Sequence, residues 1–568
     1  MSGSRLPHAD SVREPERLDS WKAIANHLGR TVRTVQRWER MGLPVHRHEH
    51  LSGSSVYAYA SEIDWWWASR RPEEPALLRP AIGGRADTQM PRIAVLPFLM
   101  LDDTPDEPYF GDGFLEELIA TLARARAVSV ISRTSVMRFR DRSEIPLARI
   151  AAMLSATLIV EGSVQRTGDA VLVSIRLVDP HDAGRILWAD HYRCRRSGIH
   201  HLQTQVAQDL VDVAARRDRR PGETLAPGNA VVPEAHDAYL MGRYYLHKRT
   251  AAALALALER FQQVTAFDPA DARGDAGLAE TYMLLSGNEF WPPSAGFPKA
   301  REAAARALDR DPGNAVAHAS LGMVKALYDW DWSGADREFD VAIDLNPNYA
   351  EAFHWQGVTR LMSGLIAESM PPLARAVELD PLSPIILVNS GRPSHFLGRF
   401  DEAIAWCDRA LAQAPDFWTA HYNRAMALAA MGDAPAALAA ARRAVETSHG
   451  KGPTLLVLAE AHAVAGNAPE ALRTIAEAIG SAQAPAGSPT YVNPFRVARV
   501  FARLGDADAA LDWLNRSYAE RSLGNSTYAS LDPAIDPLRD HPRFQRLMEA
   551  LGVAPDARIR ADRFPRRR

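Results

Sequence analysis

Cysteine is almost missing: Cys194 and Cys407 are the only two in 568 residues. So distant a pair builds neither a disulfide framework nor a zinc knuckle, and the expectation is a reducing, cytoplasmic setting. No apolar stretch approaches the roughly 18 residues that cross a bilayer. The alanine-rich run 419–445 is interrupted by Asn423, Arg424, Asp433, Arg442 and Arg443. The opening residues MSGSRLPHADSVREPERLDS hold no apolar core of a secretory signal, so no membrane partner is expected. A charge surplus is missing too. The 66 Lys and Arg face 69 Asp and Glu, a net charge of −3, which excludes a uniformly basic nucleic-acid coat but leaves room for local basic patches. With 47% hydrophobic and 24% charged residues the composition is that of globular domains.

What is present divides by texture. Residues 1–16 are polar and expected to be loose. Residues 17–71 are compact and rich in tryptophan, and 72–91 form a Pro- and Gly-bearing linker. Strand-like and helix-like runs alternate over 92–218, a second linker covers 219–233, helix pairs fill 234–552, and 553–568 form a frayed tail. The fold expected is multidomain: a small winged helix-turn-helix, a sandwich-like α/β middle domain and an all-α solenoid.

In residues 17–71, Asp19 is placed to cap a helix whose Trp21, Ile24, Ala25 and Leu28 share an apolar face, and Gly29 ends it. Thr31 would cap a second helix with Val32, Val35 and Trp38 inward and Arg33, Thr34, Arg37 and Arg40 outward. The run VHRHEHLSGSSVYAYA reads as a hairpin, and Ser61 caps a closing helix, EIDWWWASRR. Nine Lys and Arg against five Asp and Glu give this segment the local positive surplus that phosphate contact needs. His46, His48 and His50 alternate, about 7 Å apart on one strand face, too far for a single metal ion. DSWKAIANHLGRTVRTVQRWER, GLPVHRH and SVYAYASEIDWWW together resemble the MerR/excisionase-type winged helix-turn-helix family. The resemblance implies double-stranded DNA as partner, with Arg33, Thr34 and Arg37 facing the groove and His46, Arg47 and His48 on the wing near phosphates. A homodimer on paired half-sites is an accompanying expectation.

The middle segment orders as strand (IAVLPF), loop, helix (FLEELIATLARA), strand (AVSVIS), a short turn or helix, helix (PLARIAAMLSA), an antiparallel three-strand meander and a closing helix. No phosphate-loop spacing follows Gly111-Asp112-Gly113, read here as a turn before the helix. Glu116 and Glu117 read as carboxylates at a helix start, not as acid catalysts. Arg133, Arg138, Arg140 and Arg142 form a modest basic cluster, expected to be solvated. IAVLPF, YFGDGFLEELIATLAR, VISRTSVMRF, LIVEGSVQR and ILWADHY resemble the TolB amino-terminal-like (FlgO-like) domain, which implies a fold more than a function.

Beyond residue 233, prolines recur at Pro269, Pro312, Pro347, Pro381 and Pro415, in steps of 43, 35, 34 and 34. A 34-residue helix-turn-helix period is that of tetratricopeptide repeats. Small residues fall where paired helices cross: Gly357 with Ala376, Gly391 with Ala403 and Ala410, Ala425 with Ala437 and Ala444, and more loosely Gly466 and Gly505. The resemblance to tetratricopeptide repeats covers seven or eight units and implies a protein or peptide partner on a concave face. Candidates on that face are Asn389, Arg392, Tyr422, Asn423 and Met426, while Cys407 reads as core. No catalytic set, cofactor motif or metal cluster is legible. Three functions compete: a DNA-binding transcriptional regulator with a partner-binding array, a non-catalytic scaffold, and a component of a nucleotide-cyclase-type signalling system.

Overall fold

The computed structural model describes residues 17–27, 32–39, 43–50, 53–59, 63, 90–101, 109–141, 145–195, 198–217, 224–225, 232–450, 452–481, 491–522 and 528–551. The chain separates into two compact units, Met1–Arg85 and Ala86–Arg568. The ends 1–16 and 553–568 and most of the two expected linkers lie outside the described residues.

In the first unit, helices α1 (Trp21–His27) and α2 (Val32–Glu39) precede a hairpin of β2 (His46–His50) and β3 (Gly53–Tyr59). A short β1 (Arg17–Leu18), not expected from the sequence, adds to the other edge of β3. The hairpin register pairs His50 with Gly53, so Gly53 and Ser54 belong to the strand and not to the turn. Ile24, Ala25, Val35, Leu43, Ala58 and Ile63 form the core. Two local expectations shift by one position. Ser20, not Asp19, caps α1 by accepting from the Ala23 amide at 3.1 Å. Val32 is exposed at the first turn of α2 and Val35 is buried, while the Trp38 side chain lies outside the described residues.

The second unit opens with a sheet ordered β6-β4-β7-β8-β9, from β4 (Arg92–Val95), β6 (Ser129–Val130), β7 (Leu158–Thr167), β8 (Ala170–Asp179) and β9 (Arg185–Arg195). β4 runs parallel to β6 and β7, and β5 (Leu99–Met100) pairs with β7. The last three strands are the expected antiparallel meander, turning at Gly168 and at Ala183-Gly184, all with positive φ. The helices are α3 (Tyr109–Ala123), α4 (Arg133–Val136), α5 (Leu147–Leu154) and α6 (Ile199–Arg217). α3 begins ahead of Gly111-Asp112-Gly113, so those residues are helical and not a turn.

Eight helix pairs follow among the described residues. They are α7 (Pro233–His247) with α8 (Ala251–Phe267), α9 (Ala272–Gly287) with α10 (Pro293–Arg310), α11 (Ala315–Val324) with α12 (Trp332–Leu345), and α13 (Ala350–Met362) with α14 (Ile366–Leu379). Next come α15 and α16 (Pro384–Ser390, Arg392–Phe396) with α17 (Phe400–Gln413), and α18 (Trp418–Met431) with α19 (Ala434–Ser448). α20 (Gly452–Val464) pairs with α21 (Ala468–Ser481) and α22 (Pro494–Leu504) with α23 (Ala507–Ala519), before short helices α24 (Tyr528–Leu531) and α25 (Pro542–Ala550). The period proline stands two residues beyond the end of α8, α10, α12, α14 and α17, where it cannot continue the helix. At Gly391 a Cβ would lie 2.8 Å from the Cβ of Trp406, so the close crossing there requires glycine. Gly466 and Gly505 differ from expectation: both have positive φ and end their helices instead of sitting at a crossing.

The second linker does not separate two bodies, because the α/β layer is docked on the array. Asn348, in the loop after α12, places its amide nitrogen 3.1 Å from the carbonyls of Ala123, Ala125 and Val128, and its oxygen accepts from the Val130 amide at 3.2 Å. One repeat on, the Ser132 amide donates to the Leu379 carbonyl at 2.8 Å, and Ser135 Oγ donates to Asp380 while accepting from the Leu382 amide. One repeat further, Arg138 donates to the Gln413 carbonyl at 2.6 Å. The basic cluster expected to be solvated is therefore partly spent on this joint, with Arg133 and Arg140 paired to Asp112; Arg142 lies outside the described residues. Glu116 accepts from Arg243 at 2.5 Å and lies 2.9 Å from His247 Nε2. Burial opposes its ionisation, but His247, Arg243 and Arg133 outweigh that and hold the carboxyl well below its usual range.

Asn348→Ala should strand polar groups at the joint, at about 1–3 kcal/mol for each left unsatisfied. Calorimetry of the full chain should then resolve the α/β layer melting apart from the array. Burial raises the Asp380 carboxyl to about 7. Unfolded, it ionises near about 3.9, so between these values the folded state holds the extra proton. Its contribution to stability is thus full at low pH, falls as the pH climbs from about 4 to 7, and stays lost above that. The thermal midpoint of Asp380→Asn should lack this fall when compared with wild type across the same range.

Candidate partner-binding face of the repeat array

Two sets of expected site residues have to be placed. In the first unit, Arg33, Thr34 and Arg37 lie on α2 and His48 on β2, but their side chains fall outside the described residues, as does Arg40 altogether. His46 stacks on Tyr57 with ring centroids 5.2 Å apart. Arg47 is exposed and bonds Glu39 at 2.6 Å, tying the hairpin to the end of α2. Arg17 sits 4.0 Å over the same Tyr57 ring.

The five array residues lie along the first helices of successive pairs. Asn389 bonds His354 Nε2 at 2.8 Å, and His354 in turn meets Glu351, which also receives Arg249. Burial works against the Glu351 carboxyl, yet the Arg249 guanidinium brings it down to about 2. Arg392, Asn423 and Met426 line one small cleft with Val388, Gly391, His395, Phe396, Ala403 and Cys407. Burial lowers the His395 imidazole to about 4 and raises the Cys407 thiol to about 12, which leaves the first neutral and the second unreactive.

Tyr422 points elsewhere, toward the C-terminal pairs. Its hydroxyl accepts from Arg496 and from Arg499, the latter at 3.3 Å, and the Arg496 guanidinium lies 4.7 Å from its ring centroid. Arg496 also pairs with Glu289 at 3.0 Å, and Arg499 stands 3.0 Å from both Glu460 and Asp532. Asn493 adds a 2.9 Å bond to Glu289. Phe396 stacks on Tyr528 at 5.2 Å, with Arg392 4.3 Å over the same Tyr528 ring. Trp330 stacks on Tyr518 at 5.3 Å, and Arg521 donates to the Tyr328 carbonyl at 2.6 Å. The last pairs thus meet the second, third, fifth and sixth across the inside of the array. Of the five expected face residues, Tyr422 and Met426 are buried, at 5% and 6% exposed, while Asn389, Arg392 and Asn423 are half-buried.

Arg496, Arg499, Glu289, Glu460 and His354 were not among the residues read from the sequence. PFRVARVFARL carries a signal, since Arg496, Arg499 and Arg503 recur at i, i+3 and i+7 on one helix face. Their acceptors carry none, because Glu289 is 207 residues from Arg496.

A tetratricopeptide repeat profile matches residues 396–453. Over 271 residues the chain is 28% identical to a protein of Rhizobium meliloti (strain 1021) provisionally named adenylate cyclase 3, covering 46% of this chain and 44% of that one. It is 23% identical over 175 residues to the transcriptional regulator HilA of Salmonella typhimurium, 31% of this chain and 32% of that one. The matches span less than half the length of these curated relatives. Among solved structures, a tetratricopeptide repeat protein from Parabacteroides merdae aligns at 14% identity and a TM-score of 0.33, over 44% of this chain and 93% of that one. A thermophilic tetratricopeptide protein of Thermus thermophilus aligns at 23% identity and a TM-score of 0.29, over 34% and 98%. The family match lies within the repeat array, over the fifth and sixth helix pairs. No helix of the described residues is long and apolar enough to cross a membrane.

Arg499→Ala should leave Glu460 and Asp532 as buried carboxylates deprived of a cation that each shares, a change that costs about 3–5 kcal/mol. Thermal denaturation of the full chain should show the C-terminal pairs unfolding first.

Proposed function

We propose that the protein is a non-catalytic tetratricopeptide scaffold that works in the cytoplasm by binding a protein or peptide partner through its array. The observation that carries this reading is the array itself, eight stacked helix pairs with a tetratricopeptide match at 396–453. Such arrays offer long surfaces built by repetition, and they rarely do chemistry. The buried carboxylates of the middle layer fit the same reading, because Asp112, Glu116 and Glu117 are engaged by arginine and histidine side chains within the fold. A place in a cyclase-type signalling system rests only on the name of the Rhizobium meliloti relative.

A second reading adds DNA. The order helix, helix, hairpin in the first unit is that of a winged helix-turn-helix, its local charge is positive, and one relative is named a transcriptional regulator. On this reading Arg33, Thr34, Arg37 and Arg40 meet the major groove and His46, Arg47 and His48 the flanking phosphates, with two copies on paired half-sites. The middle layer then plays the part of a TolB amino-terminal-like spacer fixed to the array.

Cross-linking in cells followed by purification should yield a protein bound in fixed ratio to wild type and lost from Gly391→Leu, whose overpacked crossing costs about 1–3 kcal/mol. Recovery of no such protein sinks the scaffold reading. For the second reading, DNA recovered with the chain should contain a shared sequence. The double change Arg33→Ala with Arg37→Ala should abolish its binding in a gel shift, each contact being worth about 1–3 kcal/mol. Unchanged binding by the double variant removes the DNA assignment.

A further inference from the structure

The inside of the array is already occupied, and the occupant describes what the face accepts. α22 is buried on two sides. Val497 and Val500 lean on the preceding pair through Leu455, Leu456 and Ile475, while Phe495, Ala498 and Ala502 join the core of the early pairs. Between these apolar sides, Arg496 and Arg499 reach two acceptors from distant repeats, Glu289 just past α9 and the Tyr422 hydroxyl of α18, and one from the preceding pair, Glu460 of α20. Glu289 and Glu460 are 7% and 2% exposed, so neither carboxylate has water as an alternative.

Three residues that make contacts across the seam, Glu289, Trp330 and Arg521, stand at helix ends in the left-handed conformation usual there, so the contacts are made where helices stop. The charge pattern carries the argument. If the last pair and the short helices after it swing away, the array keeps Glu289, Glu460 and the Tyr422 ring, an acceptor set spaced for arginines one and two turns apart on a helix.

We propose that residues 491–522 and 528–551 are an intramolecular occupant of the array's inner face, and that this face, when they leave it, takes an arginine-bearing amphipathic helix of a partner. The proposal rests on the scaffold reading and names the partner's chemistry. Binding is then a replacement of one helix by another, and the partner's affinity is set against the seam's own stability.

A labelled peptide of residues 491–505 is the probe, titrated by fluorescence anisotropy into the full chain. Wild type should bind it weakly. Arg496→Ala with Arg499→Ala, which keeps the acidic acceptors but removes the resident arginines, should bind it at least tenfold more tightly. Tyr518→Ala, which removes the Trp330 stack and the ring's share of core packing but leaves every arginine in place, should shift affinity in the same direction and decides the matter if circular dichroism shows that the double variant has lost its helices. A peptide carrying Arg496→Gln, Arg499→Gln and Arg503→Gln should gain nothing from either variant. The proposal is overturned if neither variant binds the peptide more tightly than wild type does, or if the glutamine peptide binds as well as the arginine one. A cellular partner that binds wild type and both variants alike removes this inference and leaves the scaffold reading standing.

Discussion

The second unit depends on one row of buried charge, the arginines of α22 against Glu289, Tyr422, Glu460 and Asp532. Stacked helix pairs need only their neighbours, so an array of this kind has no intrinsic reason to touch itself. Here the eighth pair meets the second and the sixth, and contacts of high sequence separation turn an open solenoid into a closed body. Guanidinium groups suit that position because each has several donors in a fixed plane and can serve two acceptors at once.

The α/β layer imposes a second constraint from outside. It is held by loops that recur once per repeat, at Asn348, at Leu379 to Leu382 and at Gln413. A side chain bonding main-chain atoms is specific to position and indifferent to the identity of the residue it meets, which is why Asn348 can finish the end of α3 and the start of β6 together.

Much of this was legible in the sequence, for local reasons. Proline spacing gave the repeat boundaries because the periodic prolines stand two residues past a helix end, where they cannot extend it, whereas Pro298, Pro371 and Pro372 lie inside helices and mark no boundary. The meander was readable from alternating branched residues between glycine turns. The start of α3 was misread because Gly111 and Gly113 carry a strong turn signal, yet packing of Phe110 and Phe114 in the core outweighs it. The candidate face was legible only in part. Arg392, Asn423 and Met426 were read from their phase within the repeat, and the same phase brings them to one cleft. Tyr422 was found in the same way, but its neighbours come from beyond residue 490, and no periodic rule relates the sixth pair to the eighth. Docking of the α/β layer was invisible for the same reason: the groups it uses are mostly main-chain carbonyls, which every residue has.

Repeat proteins ordinarily vary by gaining or losing whole units, since each addition makes the same contacts as the last. The closure described here takes that freedom away. One extra pair between Glu289 and Arg496 would carry the arginines past their acceptors, and one fewer between Asn348 and Gln413 would leave a rung of the docked layer empty. The count of repeats is therefore part of the molecule's specification, in the way that a gear's tooth number is, and length variation has to be sought in its loops.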